Sequence, residues 1–68
     1  MTLSQRLKEL RFKHDITLNE LSKRSGVGKA TLSRIENRQS QGTTKVLVKI
    51  AKAFNMDLRE FIAVVDFE

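Results

Sequence analysis

The segment from Thr17 to Asn37, T-L-N-E-L-S-K-R-S-G-V-G-K-A-T-L-S-R-I-E-N, constrains the fold more than any other part of the chain. Thr17 and Glu20 have capping-box spacing, in which each side chain satisfies an orphan backbone N–H at a helix start. A helix is therefore predicted to begin at Thr17. The basic stretch Lys23-Arg24-Ser25 then runs into Gly26, which takes the left-handed backbone that ends a helix without a Cβ clash. A second helix opens at Gly28 or its neighbour, and its apolar residues Leu32 and Ile35 share a face with Leu18 and Leu21 of the first. Together with Val27 these residues fix how two short helices cross at the tight Ser25-Gly26-Val27 turn. The opposite face carries Lys29, Ala30, Ser33 and Arg34, which no core requires. A charged face opposite an apolar stripe is usually only a solvated face, so the pattern alone assigns no function.

The charge distribution adds what the pattern lacks. Between Lys23 and Lys52 stand eight basic residues (Lys23, Arg24, Lys29, Arg34, Arg38, Lys45, Lys49, Lys52) and one acid, Glu36, a balance of 8 − 1 = +7. Residues 53–68 carry Arg59 against Asp57, Glu60, Asp66 and Glu68, a balance of −3, and residues 1–22 amount to +1. A merely solvated face would mix both signs. A basic middle favours a polyanionic partner, because neutralising phosphates releases counterions and supplies most of the sequence-independent affinity. Nucleic acid is the leading candidate.

Length and composition exclude several alternatives. Sixty-eight residues fit one domain, 1–68, with a core over about 3–62 and a tail at 63–68, and leave little room for an enzyme cleft. No nucleophile, acid-base pair or phosphate loop has the spacing that catalysis needs. The chain has no cysteine, and the lone His14 lacks carboxylate neighbours that could complete a metal site. Neither metal nor cofactor is expected. No apolar run approaches the roughly 20 residues of a membrane span, and no signal-peptide core is visible, so a cytoplasmic protein, associated with the nucleoid through DNA, is expected.

The flanking segments read as supporting helices. Leu3, Leu7 and Leu10 recur at helical spacing with His14 next on the stripe, and Thr2 or Ser4 can cap the start. His14 reads as a core-edge or helix-end residue. The polar stretch Arg38 to Thr43 is a loop, leading into a helix at Thr43 or Thr44 whose stripe is Leu47, Ile50, Ala51 and Phe54. Asp57 and Glu60 repeat the capping-box spacing ahead of Leu58, Phe61 and Ile62. The expected fold is all-α, a compact five-helix bundle with no necessary strand. Within it Glu36 is conspicuous, since an acid amid phosphate-binding residues repels DNA unless paired. Arg11, near the end of the first helix, is the expected partner, and the pair would clamp the first helix to the third.

These residues resemble the phage-repressor and Cro-type helix-turn-helix domain, the XRE family. The likeness covers about Leu3 to Ile62 and rests on R-L-K-E-L-R, I-T-L-N-E-L-S with S-G-V, K-A-T-L-S-R-I-E-N, and L-V-K-I-A-K-A-F with a following D-L. It implies a lambda-repressor-like bundle that binds operator DNA as a homodimer, with the third helix (about 28–37) in the major groove. By that likeness Lys29, Ala30 and Arg34, with Ser33 on the same face, meet base edges. Thr17, the Leu18 backbone N–H, Asn37, Arg38 and the Thr44-Lys45 helix start meet phosphates, as helix N-termini and basic or amide groups do. Arg11 and Glu36 also match an ion pair found in some relatives.

The chain departs from the family pattern at Asp15, where glycine is common, at Ser22, where alanine is usual, and at Arg38, where many relatives have the glycine of E-N-G. Asp and Asn tolerate left-handed backbone, so Asp15 and Asn37 are expected to stand in for the missing glycines. The tail Ala63-Val64-Val65-Asp66-Phe67-Glu68 alternates and is β-prone; it either adds a strand across a dimer or folds back on its own domain. The likeness implies a sequence-specific DNA-binding transcriptional regulator, expected to be a repressor, and two other functions stand beside it. In one, the domain is an antitoxin-like or controller subunit whose acidic end holds a partner protein. In the other, it is a protein-interaction module without DNA binding, with Phe12 as a contact. Retention of Lys29, Arg34 and Asn37 argues against the latter.

Overall fold

Polar side chains set the starting points of four helices. In the computed structural model, which describes residues 1–67, α1 (Leu3–Lys13) starts at Thr2, α2 (Leu18–Ser25) at Thr17, α4 (Thr44–Ala53) at Thr43 and α5 (Leu58–Ile62) at Asp57. Each cap accepts the N–H three residues on, and at Thr2, Thr17 and Asp57 the third residue (Gln5, Glu20, Glu60) reciprocates. Such a cap contributes about 1 kcal/mol. The remaining helix, α3 (Lys29–Glu36), starts at Gly28 with no side-chain cap. Ser4 caps nothing: it is buried, and its Oγ donates to the Glu36 carbonyl at the end of α3.

Three helix ends share one device. After α1, α3 and α4 a single residue turns left-handed, at Asp15 (φ 52°), Arg38 (φ 62°) and Asn55 (φ 58°). The following N–H then reaches back five residues: Ile16 to the Arg11 carbonyl at 3.0 Å, Gln39 to Arg34 at 2.8 Å, Met56 to Ala51 at 2.9 Å. These are Schellman terminations, which satisfy carbonyls that the helix leaves open. Asp15 takes the left-handed role expected of it. Asn37 does not: its φ is −95°, and Arg38 turns instead. The termination places the left-handed residue one position past the cap, and with α3 ending at Glu36 that position is 38.

All five helices contribute to one core, in which Leu7, Leu10, Leu21, Leu32, Ile35, Ile50 and Phe61 are almost wholly enclosed. Burying each such side chain is worth about 1.5–3 kcal/mol. Leu58 and Ile62 pack against the core only in part. The five-residue α5 is held from outside by Arg6, whose Nε donates to the Phe61 carbonyl at 2.7 Å and Nη2 to that of Glu60 at 3.0 Å. His14 ends α1, exposed, its ring 5.1 Å from that of Phe54.

The tail folds back beside the N-terminus. The Met1 ammonium donates to the Val64 carbonyl at 3.1 Å and to Asp66 at 3.0 Å, the Asp66 N–H returns to the Met1 carbonyl at 2.8 Å, and Val65 packs against the core. Glu68, the last residue of the tail, lies outside the described residues. Among the described residues there are five helices and no strand, and no helix is long and apolar enough to cross a membrane.

Candidate nucleic-acid interface

The turn between α2 and α3 is built from three small hydrogen-bonded steps. Gly26 turns left-handed (φ 75°) and its N–H closes α2 on the Ser22 carbonyl at 2.9 Å. The Val27 N–H meets Ser25 Oγ at 3.1 Å, and Ser22 Oγ donates to the Val27 carbonyl at 2.6 Å. Val27 itself is buried. Ser22, a departure from the family's usual alanine, thus ties the last turn of α2 to the chain entering α3. Neither periodicity nor charge singled it out, because a serine inside a helix is ordinarily a neutral surface choice.

The orientation of α3 is fixed from the side by Arg11. Its Nε meets Glu36 Oε2 at 2.5 Å and its Nη2 meets Oε1 at 3.0 Å, a two-point contact, while Nη1 donates to the Ile16 carbonyl at 3.0 Å. The Glu36 side chain is 6% exposed and that of Arg11 14%. The hydrogen bond to Glu36 holds the Arg11 guanidinium above its ordinary pKa, with burial opposing and the Glu36 charge assisting. With Ser4 on the Glu36 carbonyl, α1 grips the end of α3 through both side chain and backbone.

What α3 presents outward follows from that grip. Leu32, Ile35 and Glu36 point inward, and Lys29, Ala30 and Arg34 are exposed. Ser33 is half-buried, and its Oγ accepts from Asn37 Nδ2 at 3.3 Å. Asn37 and Arg38 follow in the open. Thr17 and Leu18, at the start of α2, line one shallow depression with Lys29, so the start of α2 and the start of α3 are brought together. Arg38 lines a different depression, against Ile35, Gln41 and the N-terminal residues. Thr44 and Lys45 stand exposed on the first turn of α4. Gly42, just before it, has φ 72°, and a Cβ there would lie 3.3 Å from Ile35 Cδ1. The loop therefore brings its backbone close against α3, and glycine is favoured on both counts.

Among the described residues, none of the eight cations between Lys23 and Lys52 has an acid within ion-pairing distance. Lys29 and Arg34 on α3, Arg38 just past its end and Lys45 on the first turn of α4 are thus exposed positive groups with no described acid at pairing distance.

Comparison with known proteins agrees with this architecture. The profile of the helix-turn-helix family matches residues 7–61. The chain is 39% identical over 61 residues to the HTH-type transcriptional regulator SutR of Escherichia coli K12, covering 90% of this chain and 34% of that protein. It is 36% identical over 55 residues to an uncharacterized HTH-type transcriptional regulator of Archaeoglobus fulgidus, covering 81% and 78%. A crystal structure of an HTH_3 family transcriptional regulator from Vibrio cholerae superposes with a TM-score of 0.83 at 32% identity, over 91% of this chain and 35% of that one. The chain thus spans about a third of the length of the E. coli and Vibrio relatives. With a helix-turn-helix pair braced by three further helices and a family match over most of its length, the chain belongs to the XRE-type helix-turn-helix family.

Proposed function

We propose that the chain is a sequence-specific, double-stranded-DNA-binding transcriptional regulator, a repressor that reads the major groove with α3 as a homodimer. The observation that carries this reading is the exposed, unpaired Lys29–Arg34 face of a helix whose rotation is fixed by the Arg11–Glu36 contact and the α2 turn. A rigid helix is what base readout needs, since a donor must sit within hydrogen-bond reach of a base edge without reorganising. Arg34 and Lys29 supply donors suited to guanine O6 and N7, and Ala30 a methyl suited to thymine. The Ser33 hydroxyl, held by Asn37, reads a base only as a fixed group. Thr17, the Leu18 N–H, Asn37, Arg38, Thr44 and Lys45 bind phosphates and set the register. The dimer surface is assigned to the acidic C-terminal part, where Leu58 and Ile62 are only half-buried and Val64 is exposed. The work is done in the cytoplasm, on the nucleoid.

Selection of bound sites from randomised duplexes at stated salt tests the reading. The selected sequences should contain two half-sites about 34–36 Å apart, one turn of DNA. Arg34→Ala should cost about 1–3 kcal/mol on the selected site and far less on random DNA. Lys45→Ala should weaken both alike and lower the salt slope by about one. Equal losses on both duplexes for both variants would overturn this division of labour. Co-purification of a second polypeptide without self-association would instead make the domain the controller subunit of a pair.

A further inference from the structure

Phe12 is 70% exposed, the most exposed large apolar side chain among the described residues. It lies in the last turns of α1, one residue past the arginine that grips Glu36, and the Arg11 guanidinium carbon is 5.4 Å from its ring centre. Because that guanidinium is pinned by Glu36 and by the Ile16 carbonyl, the ring rests on a fixed support. A single exposed apolar side chain is ordinary on a protein surface; what distinguishes Phe12 is this support together with its place beside the start of α2.

Its surroundings select the partner. Phe12 lines one depression with Asp15, Thr17, Leu18, Asn19 and Lys29. Those neighbours include the start of α2, assigned above to a phosphate, and the first residue of the reading helix. In a duplex every phosphate is flanked by deoxyriboses, whose C–H surfaces are neutral and apolar. A phosphate seated on the Leu18 N–H therefore brings a sugar against the neighbouring wall. Asp15, the acid of the depression, repels a second phosphate there but not a sugar.

We propose that Phe12 packs on a DNA deoxyribose beside the phosphate held at the start of α2, an inference that rests on the DNA-binding reading above. An apolar contact to the backbone carries no base information and releases no counterions. It therefore has a signature distinct from that of a lysine on a phosphate.

The test compares the full chain with Phe12→Ala, Phe12→Leu and Lys45→Gln, on the selected site and on a random duplex, across a series of salt concentrations. Phe12→Ala should weaken binding to both duplexes by about three- to tenfold, the worth of one partly buried apolar side chain, with its plot of log affinity against log salt parallel to that of the unaltered chain. Phe12→Leu should recover most of the loss, and Lys45→Gln should flatten the plot by about one unit. Hydroxyl-radical cleavage, which attacks deoxyribose, should lose one protection per half-site in Phe12→Ala while the others persist. Far-ultraviolet circular dichroism at the binding temperature checks that each variant is folded, and Phe12→Leu carries the test if Phe12→Ala is not. Unchanged affinity in Phe12→Ala, a flattened salt plot in that variant, or loss of all protections together would each overturn the proposal. Unchanged DNA affinity with loss of a co-purifying protein would make the ring a protein contact and overturn it equally. Failure of the unaltered chain to bind any duplex at low salt would remove the DNA reading itself, and this proposal with it.

Discussion

The contact between Arg11 and Glu36 offers the sharpest test of how α3 is held. Both partners sit in the wall between α1 and α3, with the carboxylate almost wholly enclosed and the guanidinium nearly so. Removing one partner strands the other. Glu36→Ala leaves an arginine that can swing partly to water, for which about 3 kcal/mol is the expected loss, the low end for a broken buried pair. Arg11→Ala strands the more deeply buried carboxylate and also deprives the Ile16 carbonyl of its donor, so a loss of about 4 kcal/mol is expected. The double variant has no stranded charge and should lose only about 4 kcal/mol, which leaves a coupling of about 3 kcal/mol. A chain of this size has about 3–10 kcal/mol of total stability, and its melting temperature moves by about 7 °C per kcal/mol. Glu36→Ala should therefore melt about 20 °C lower, with Arg11→Ala lower still and the double variant close to Arg11→Ala. Because the hydrogen bond to Glu36 raises the pKa of Arg11, the stabilisation is fully present below the ordinary arginine value and is lost only as pH rises through the still higher folded value, beyond any pH at which the protein is handled. The coupling should accordingly be the same at pH 7 and pH 10. Calorimetry or circular-dichroism melts of the four proteins at both pH values measure it, and losses that add to within about 0.5 kcal/mol would refute the clamp.

Two other substitutions probe the two ends of α3. Ser22→Ala removes the hydroxyl that meets the Val27 carbonyl; the lost bond costs about 1–2 kcal/mol, better helix propensity returns about 0.5, and the melting temperature should fall by about 3–10 °C, whereas a rise would show that the bond holds nothing. Arg38→Gly relieves a left-handed backbone worth about 1–2 kcal/mol and adds about 0.4–1 of unfolded-chain entropy, so the variant should be as stable or slightly more stable yet bind DNA more weakly at every sequence. A variant that melts lower and binds unchanged would reverse both halves of that argument.

Where the sequence could be read correctly, the relevant physics was local. Capping boxes at Thr17 and Asp57, the glycine at 26 and the apolar spacing of Leu7, Leu10, Leu32, Ile35 and Ile50 concern residues within a turn or two of one another. The helix starts and inward faces follow from them. What escaped depends on atoms brought together by the fold. Ser4 reads as a helix-start residue until α3 ends above it and its hydroxyl meets the Glu36 carbonyl. Arg6 has no assigned role in the sequence, and acquires one only when α5 lays two carbonyls across it. The left-handed turn after α3 was expected at Asn37, the residue with the better intrinsic tolerance, and falls on Arg38 because the hydrogen bond from Gln39 to Arg34 sets its position. Propensity gave way to termination geometry there. Of the candidate interface, the inward and outward faces of α3 were legible in the sequence; the depression joining the starts of α2 and α3 was not.

The uneven charge of the chain takes on a different meaning in the folded state. As a sum, +7 over residues 23–52 says only that the middle of the chain is basic. In the structure nearly every described acid is engaged in holding the fold: Glu20, Asp57 and Glu60 in caps, Glu9 on Arg6, Glu36 on Arg11, Asp66 on the Met1 ammonium, with Asp15 the exception. The arginines of α1 are likewise committed to internal contacts. Of the eleven lysines and arginines left over, eight are those of residues 23–52, the others being Lys8, Lys13 and Arg59, and the field of those eight is not cancelled by any described acid at pairing distance. At physiological salt the Debye length is about 8 Å, so an acid that merely belonged to the same chain would do little to neutralise them, while one at contact distance would. Placing the acids at caps and clamps therefore strengthens the scaffold without weakening the surface that attracts a polyanion. Glu36 shows the division most clearly: the one acid of the basic block is turned inward, where it orients the helix that carries Lys29 and Arg34.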